Sequence, residues 1–167
     1  MKFRLLFFLF GLLFLLALYI FYLSFGFTFL LKDRQLVTLV LKEHILASAQ
    51  KELLVEVVSS QDSITAGLSN RLDLKTLDGK QLDGMIFVFK DKSKQNFWMK
   101  DMLFALDICW LDDLRFLACE RAIEPPGSLG SLMIYSSIKP ANFVLETKPG
   151  FLSQEDLNLQ LFLKQDL

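Results

Sequence analysis

Between Leu5 and Leu31 the chain carries no charged residue, and this run constrains it more than any other feature. As a helix rising about 1.5 Å per residue, the run is roughly 40 Å long, against about 30 Å of bilayer hydrocarbon. It reads as a single transmembrane helix, Leu5 to Leu31, able to cross with tilt. The competing reading is a cleavable secretory signal, whose apolar region is about 7–15 residues and ends at a small-x-small site. This run is longer, and only Ser24-Phe25-Gly26 resembles such a site. An uncleaved anchor is therefore expected, with Tyr19, Tyr22 and Phe25 suited to an interfacial aromatic belt.

Lys2 and Arg4 precede the run, and Lys32 and Arg34 follow it, so the positive-inside comparison is nearly balanced. A short positive N-terminus before a long apolar run is how exported chains begin. The expected placement is thus the cytoplasmic membrane, single-pass, with the following domain on the extracytoplasmic side. Residues 1–34 form the anchor with its charged flanks. Residues 35–167 form a single globular domain, a length that one core can serve.

Setting aside Lys2, Arg4, Lys32, Arg34 and Asp33 from the chain's 18 basic and 19 acidic residues leaves 14 and 18 in that domain. The domain is mildly acidic. A nucleic-acid partner, which needs a basic face, is excluded, and a polybasic contact with anionic lipid is not expected. The bilayer is the expected partner, through the N-terminal helix; the sequence identifies no small-molecule or protein partner.

Short apolar and β-branched runs separated by turn residues make the domain mainly β. Strands are predicted at Leu36–Leu41, Leu53–Val58 with Glu56 facing water, Gly84–Phe89, Asn96–Lys100, Leu106–Leu111, Leu114–Cys119, Asn142–Thr147 and Leu159–Leu163. Gly84–Phe89 is apolar on both pleat faces, as in a strand covered on both sides. Ser60-Gln61-Asp62-Ser63 offers helix caps, and a short helix is predicted over Ile64–Asn70. Lys90–Lys94 reads as a charged turn, and Glu124–Ser137, with Pro125-Pro126-Gly127, as a loop. The predicted fold is a compact β-sandwich or barrel-like domain with one short helix. Asp112-Asp113 reads as a hairpin turn. That register sets Cys109 opposite Phe116 and Cys119 opposite Leu106, roughly 10 Å out of step and beyond the reach of a disulfide. Both thiols are expected to be free core residues.

The order of elements from Leu53 onward resembles the domain of unknown function 192 family, small bacterial and archaeal domains. Val55-Glu56-Val57-Val58, Gly67-Leu68-Ser69-Asn70-Arg71 and Gly84-Met85-Ile86-Phe87-Val88-Phe89 carry the resemblance. So do Asn96-Phe97-Trp98-Met99-Lys100-Asp101-Met102, Leu106-Asp107-Ile108, Tyr135-Ser136, Pro140-Ala141 and Phe143-Val144-Leu145-Glu146 with Gly150. The chain departs from the pattern in a longer polar insert between Arg71 and Gly84. It departs again at Asp156-Leu157-Asn158, where a Gly-Asp pair is usual. The resemblance implies a compact, mainly β, sandwich-like domain behind an exported or anchored N-terminus, and implies no activity.

The chemistry of the residues is sparse. A hydrolytic triad needs a base such as His beside its nucleophile, and His44 is the single histidine, outside any motif. One His and two separated Cys lack zinc-ligand spacing, so no metal site is expected. No phosphate loop, dinucleotide fingerprint or calcium loop occurs, and no cofactor is expected. Asp107 and Glu146 interrupt otherwise apolar strands, where a carboxylate must be paired or lie at a cleft. The ordinary reading is an ion pair, with Arg71 the obvious partner; the functional one is acid–base work on a glycoside. Trp98 and Lys100 share a strand face opposite Phe97 and Met99, and with Tyr135 suit a shallow ligand pocket.

The candidate binding residues are Arg71, Trp98, Lys100, Asp107, Tyr135 and Glu146, and no catalytic residue is assigned. The favoured function is a membrane-anchored, non-enzymatic ligand- or partner-binding accessory module. The alternatives are a hydrolase or lyase using Asp107 and Glu146 on envelope carbohydrate, and a structural component of a membrane complex.

Overall fold

The computed structural model describes residues 7, 10–17, 31–127 and 133–164. The chain divides into two units, Met1–Leu31 and Lys32–Leu167. In the first, residues 10–17 are helical and apolar side chains such as Phe10 and Leu13 are exposed. No helix among the described residues is long and apolar enough to cross a membrane. Most of the Leu5–Leu31 run, and with it the expected span, lies outside them.

The second unit is mainly β. Strands β1 (Leu36–Lys42), β2 (Lys51–Val58), β3 (Gly84–Ser93), β5 (Leu106–Asp112), β6 (Arg115–Ile123), β8 (Ala141–Thr147) and β9 (Gln160–Leu163) close a barrel in the order β1-β2-β3-β8-β5-β6-β9. Strands β4 (Asn96–Trp98) and β7 (Ile134–Ser136) form a separate two-stranded ribbon. One short helix, α1 (Gln61–Ala66), links β2 to its parallel neighbour β3, and a 3-10 turn, Asp156–Asn158, precedes β9. Of the two architectures expected, the closed barrel is the one formed.

Strand alternation explains the closure. The register pairs Leu39 with Leu53, Leu41 with Leu161, and Ile86 with Val57 and Leu145, so these buried side chains share the inner face. The outer face is apolar as well. Val58, Met85, Phe87, Ile108, Trp110 and Val144 pack there against Leu68, Leu74, Leu82, Met99 and Met102 from segments outside the barrel. That covering is why Gly84–Val88 is buried throughout. Gly84 also lets β8 approach, since a Cβ there would stand 2.8 Å from the Glu146 carbonyl oxygen.

Several sequence expectations need correction. The helix spans Gln61–Ala66, not Ile64–Asn70, because Ser60 is its N-cap. The Ser63 amide donates to the Ser60 hydroxyl and the Ser60 amide to the Ser63 hydroxyl, each at 3.1 Å. Asp33 accepts from the Ser59 and Ser60 amides and from both hydroxyls. The helix ends at Gly67, whose φ is +46°. Lys90–Lys94 is not a turn; β3 continues to Ser93, and Lys92 bonds the carboxylates of Asp112 and Asp113. The loop expected at Glu124–Ser137 contains β7, which its pairing with β4 makes extended.

The largest correction concerns the cysteines, which are joined as a Cys109–Cys119 disulfide with their Cα atoms 4.1 Å apart. The hairpin turns at Asp113-Leu114, one residue later than expected, both with positive φ as a two-residue primed turn requires. Asn142 fixes that turn, exchanging hydrogen bonds of 2.9 Å with the amide and carboxylate of Asp113. The register then slips between Trp110 and Leu111, where Leu117 is left over as a bulge. The later turn and the extra residue together bring Cys119 opposite Cys109.

Candidate functional site

The outer wall of the barrel carries a row in which acidic and apolar residues alternate. Glu56 on β2 pairs with Met85 on β3, Met85 with Glu146 on β8, and Glu146 with Ile108 on β5. Paired residues share a face, so Glu56 and Glu146 flank Met85 on the same side, two strands or roughly 10 Å apart. Both are buried, at 3% and 5% exposure. Glu56 was expected to face water; the segment after α1 covers it instead.

That segment delivers Arg71. Its guanidinium donates to both Glu56 oxygens, at 2.7 and 3.2 Å, and to the Lys75 carbonyl at 2.6 Å. Arg34 donates to Glu56 from the chain's entry to β1, at 2.6 Å. Burial would raise the Glu56 carboxyl, but the hydrogen bonds from Arg71 and Arg34 outweigh it and hold Glu56 below its ordinary value. Glu56 is the anion of this cluster.

Glu146 is the opposite case. Its carboxyl makes no hydrogen bond among the described residues, and burial pushes it up to about 8, opposed only by the charge of Arg71. At neutral pH it is therefore a protonated acid, offering one O–H donor and a carbonyl acceptor. With Glu146 neutral, two guanidinium charges face one carboxylate, and the cluster is net positive.

The six candidate residues of the sequence fall in three places. Arg71 and Glu146 lie on the same side of the wall, where Glu146 feels the charge of Arg71 but makes no ion pair with it. Asp107 does not join them: it pairs with Thr147, one step from the Ile108–Glu146 pair, and so faces the other side of the wall. Its partner is Arg121, not Arg71, at 2.7 Å. It also accepts from the Ala122 amide at 2.7 Å and the Gly150 amide at 3.0 Å. Asp107 thus fills the gap where β6 bulges at Arg121-Ala122 and ties the turn after β8 to it.

Trp98, Lys100 and Tyr135 lie on or beside the β4–β7 ribbon, but Tyr135 does not share a face with Trp98. It pairs with Phe97, whose ring meets Phe87 edge-on at 4.9 Å, so that face packs on the barrel. Trp98 pairs with Ile134, and both project outward, 47% and 62% exposed. Lys100 is exposed, while its carbonyl accepts from the Ser69 hydroxyl at 3.0 Å and the next carbonyl, of Asp101, accepts from the Asn70 amide at 2.7 Å. The end of the ribbon is thereby stitched to the segment carrying Arg71.

The residues missed by sequence reasoning are Glu56, Arg34 and Arg121. A signal for Glu56 did exist: Leu54 and Val58 flank it at two-residue spacing, and an apolar pair on the supposed outer face marks that face as covered. For the two arginines no local pattern distinguishes them from surface cations. Among the described residues, no cluster of His, Cys, Asp and Glu could hold a metal ion.

Two crystal structures share the fold. One, described as a candidate transcription regulator from Sinorhizobium meliloti 1021, is 19% identical with a TM-score of 0.61, over 80% of this chain and 97% of that one. The other, a protein of unknown function from Novosphingobium aromaticivorans DSM 12444, is 20% identical with a TM-score of 0.59, over 78% and 86% of the two chains. At such identity the likeness speaks to fold alone. No protein with a curated description matches. The DUF192 family profile, described as an uncharacterised ACR, matches residues 44–160, which include every residue of the site except Arg34. The chain belongs to the DUF192 family.

Proposed function

We propose that the protein is a membrane-anchored, non-enzymatic binding module in which Glu146 and Arg71 hold a small polar ligand on the outer wall of the barrel. The observation that carries this reading is the buried Glu146 carboxyl, which has no hydrogen-bond partner among the described residues and lies within the electrostatic reach of Arg71. A neutral acid and a cation together suit a ligand that presents acceptor oxygens, such as a small carboxylate. The opposed faces of Asp107 and Glu146 weigh against the hydrolase alternative, because a glycosidase needs both carboxyls on one substrate.

Anchoring rests on the uncharged run from Leu5 to Leu31. The Cys109–Cys119 bridge supports an extracytoplasmic domain, since structural disulfides persist in oxidising compartments. The test is thermal unfolding of the full chain in detergent with a panel of mono- and dicarboxylates, amino acids and monosaccharides. One class should raise the midpoint by about 2 °C or more in the wild type and not in Glu146→Leu. No shift with any class, or an equal shift in the variant, would contradict the assignment.

A further inference from the structure

The outward face of the β4–β7 ribbon has no partner among the described residues. Trp98 and Ile134 stand opposite each other on it, and Ile138 beyond its end is 79% exposed. Lys94, Lys100 and Lys139 border it; all three are exposed and none has an ion-pair partner among the described residues. Asp101 is the one acid in the two stretches 94–101 and 133–140. The ribbon is thus a basic, aromatic patch on a domain whose overall balance is acidic.

Its root is also placed by topology. β3 ends at Ser93, which pairs with Ala141 at the start of β8, and the Ser137 amide donates to the Gln95 carbonyl beside it at 3.0 Å. β2 is parallel to β3 and antiparallel to β1, so β3 finishes at the end of the barrel where β1 begins. Lys94, Ile138 and Lys139 therefore lie at the same end as Lys32–Gln35, the residues that follow the uncharged run.

We propose that this ribbon face is a lipid-contact surface: Trp98 and Ile134 enter the interface of a bilayer while Lys94, Lys100 and Lys139 meet anionic headgroups. Trp is suited to that depth because its ring is apolar and its N–H remains hydrogen-bonded, and each lysine near an anionic surface adds attraction that salt screens. The contact goes beyond the anchor and beyond the Glu146 site. It would fix which side of the barrel faces the membrane and would leave the Glu146 wall to its own ligand.

The chain's two tryptophans make the test direct, since Trp110 is buried at 1% exposure and Trp98 is the one that a lipid quencher can reach. The full chain is placed in nanodiscs of neutral phosphatidylcholine, or of phosphatidylcholine with one quarter phosphatidylglycerol, each with acyl chains brominated near the headgroup. Tryptophan quenching should be about two-fold greater in the anionic discs, and should fall to the neutral-disc level in Lys94→Glu/Lys139→Glu or at high salt. Trp98→Phe, checked for folding by circular dichroism, should lose the difference. Equal quenching in both lipids would overturn the proposal, as would none in either. A dimer in the discs that Ile134→Glu converts to monomer would do so too, making the face a contact between copies or with another protein.

Discussion

Asp107 and Glu146 occupy neighbouring steps of the same strand pair and face opposite sides of the barrel wall. The first is satisfied by one guanidinium and two backbone amides; the second has no hydrogen bond among the described residues. Two carboxylates that look alike in the sequence therefore have different environments: Asp107 is tied into the fold, and Glu146 is the one proposed to meet a ligand.

Asp107→Asn keeps the size of the side chain but removes its charge and one acceptor oxygen. Two of its three donors, the Ala122 and Gly150 amides, belong to the bulge and turn they stabilise. The variant is expected to lose about 2–4 kcal/mol in urea unfolding, as buried charge-assisted bonds do. Its affinity for any ligand of the Glu146 site should match the wild type at a temperature where both are folded.

Glu56→Gln leaves the nearly buried Arg71, 10% exposed at its side chain, without an anion, while the more open Arg34 turns to water. A cost of about 3 kcal/mol is expected in urea unfolding at pH 7. Glu56 is held below its unfolded value of 4.5, so its contribution is present above that pH and is lost as pH falls through the folded value. The gap between wild type and variant should therefore close in acid.

For Glu146 the sign is reversed. Its folded value, about 8, lies above the unfolded 4.5, so the unfolded chain releases this proton first as pH rises. Wild-type stability is fully retained with respect to this group below about pH 4.5 and falls between there and pH 8. Glu146→Gln cannot ionise and escapes the decline. It should gain about 2–4 kcal/mol relative to wild type on going from pH 4.5 to pH 9, read by urea unfolding at each pH.

The disulfide closes a short loop, ten residues in sequence separation. Reduction, or Cys109→Ala/Cys119→Ala, is expected to cost about 2–3 kcal/mol. These are the chain's two cysteines, so protein folded in an oxidising compartment should show no reactive thiol when denatured without reductant.

Most strands were legible because their apolar runs and bounding turns are local properties; β2, β5 and β8 fall within a residue or two of their expected limits. What was not legible depends on residues distant in sequence. Cys119 meets Cys109 because Asn142 and Lys92 hold the hairpin turn one residue late and Leu117 bulges. Ile134–Ser136 is a strand because β4 is beside it. Arg71 and Glu146 were both singled out from the sequence, but the carboxylate that Arg71 pairs with is Glu56. Their true context needed Glu56, which alternation sends to the outer face and only tertiary covering buries.

The proposed binding role requires that Glu146 remain a neutral acid at physiological pH, open to a ligand. It is tested by a 13C NMR titration of glutamate side-chain carboxyls in the full chain, with the Glu146 signal identified by its loss in Glu146→Gln. A midpoint near 8 is expected. A midpoint near the ordinary 4.5 would mean that the carboxylate is ionised and compensated, and the proposed site would have no basis.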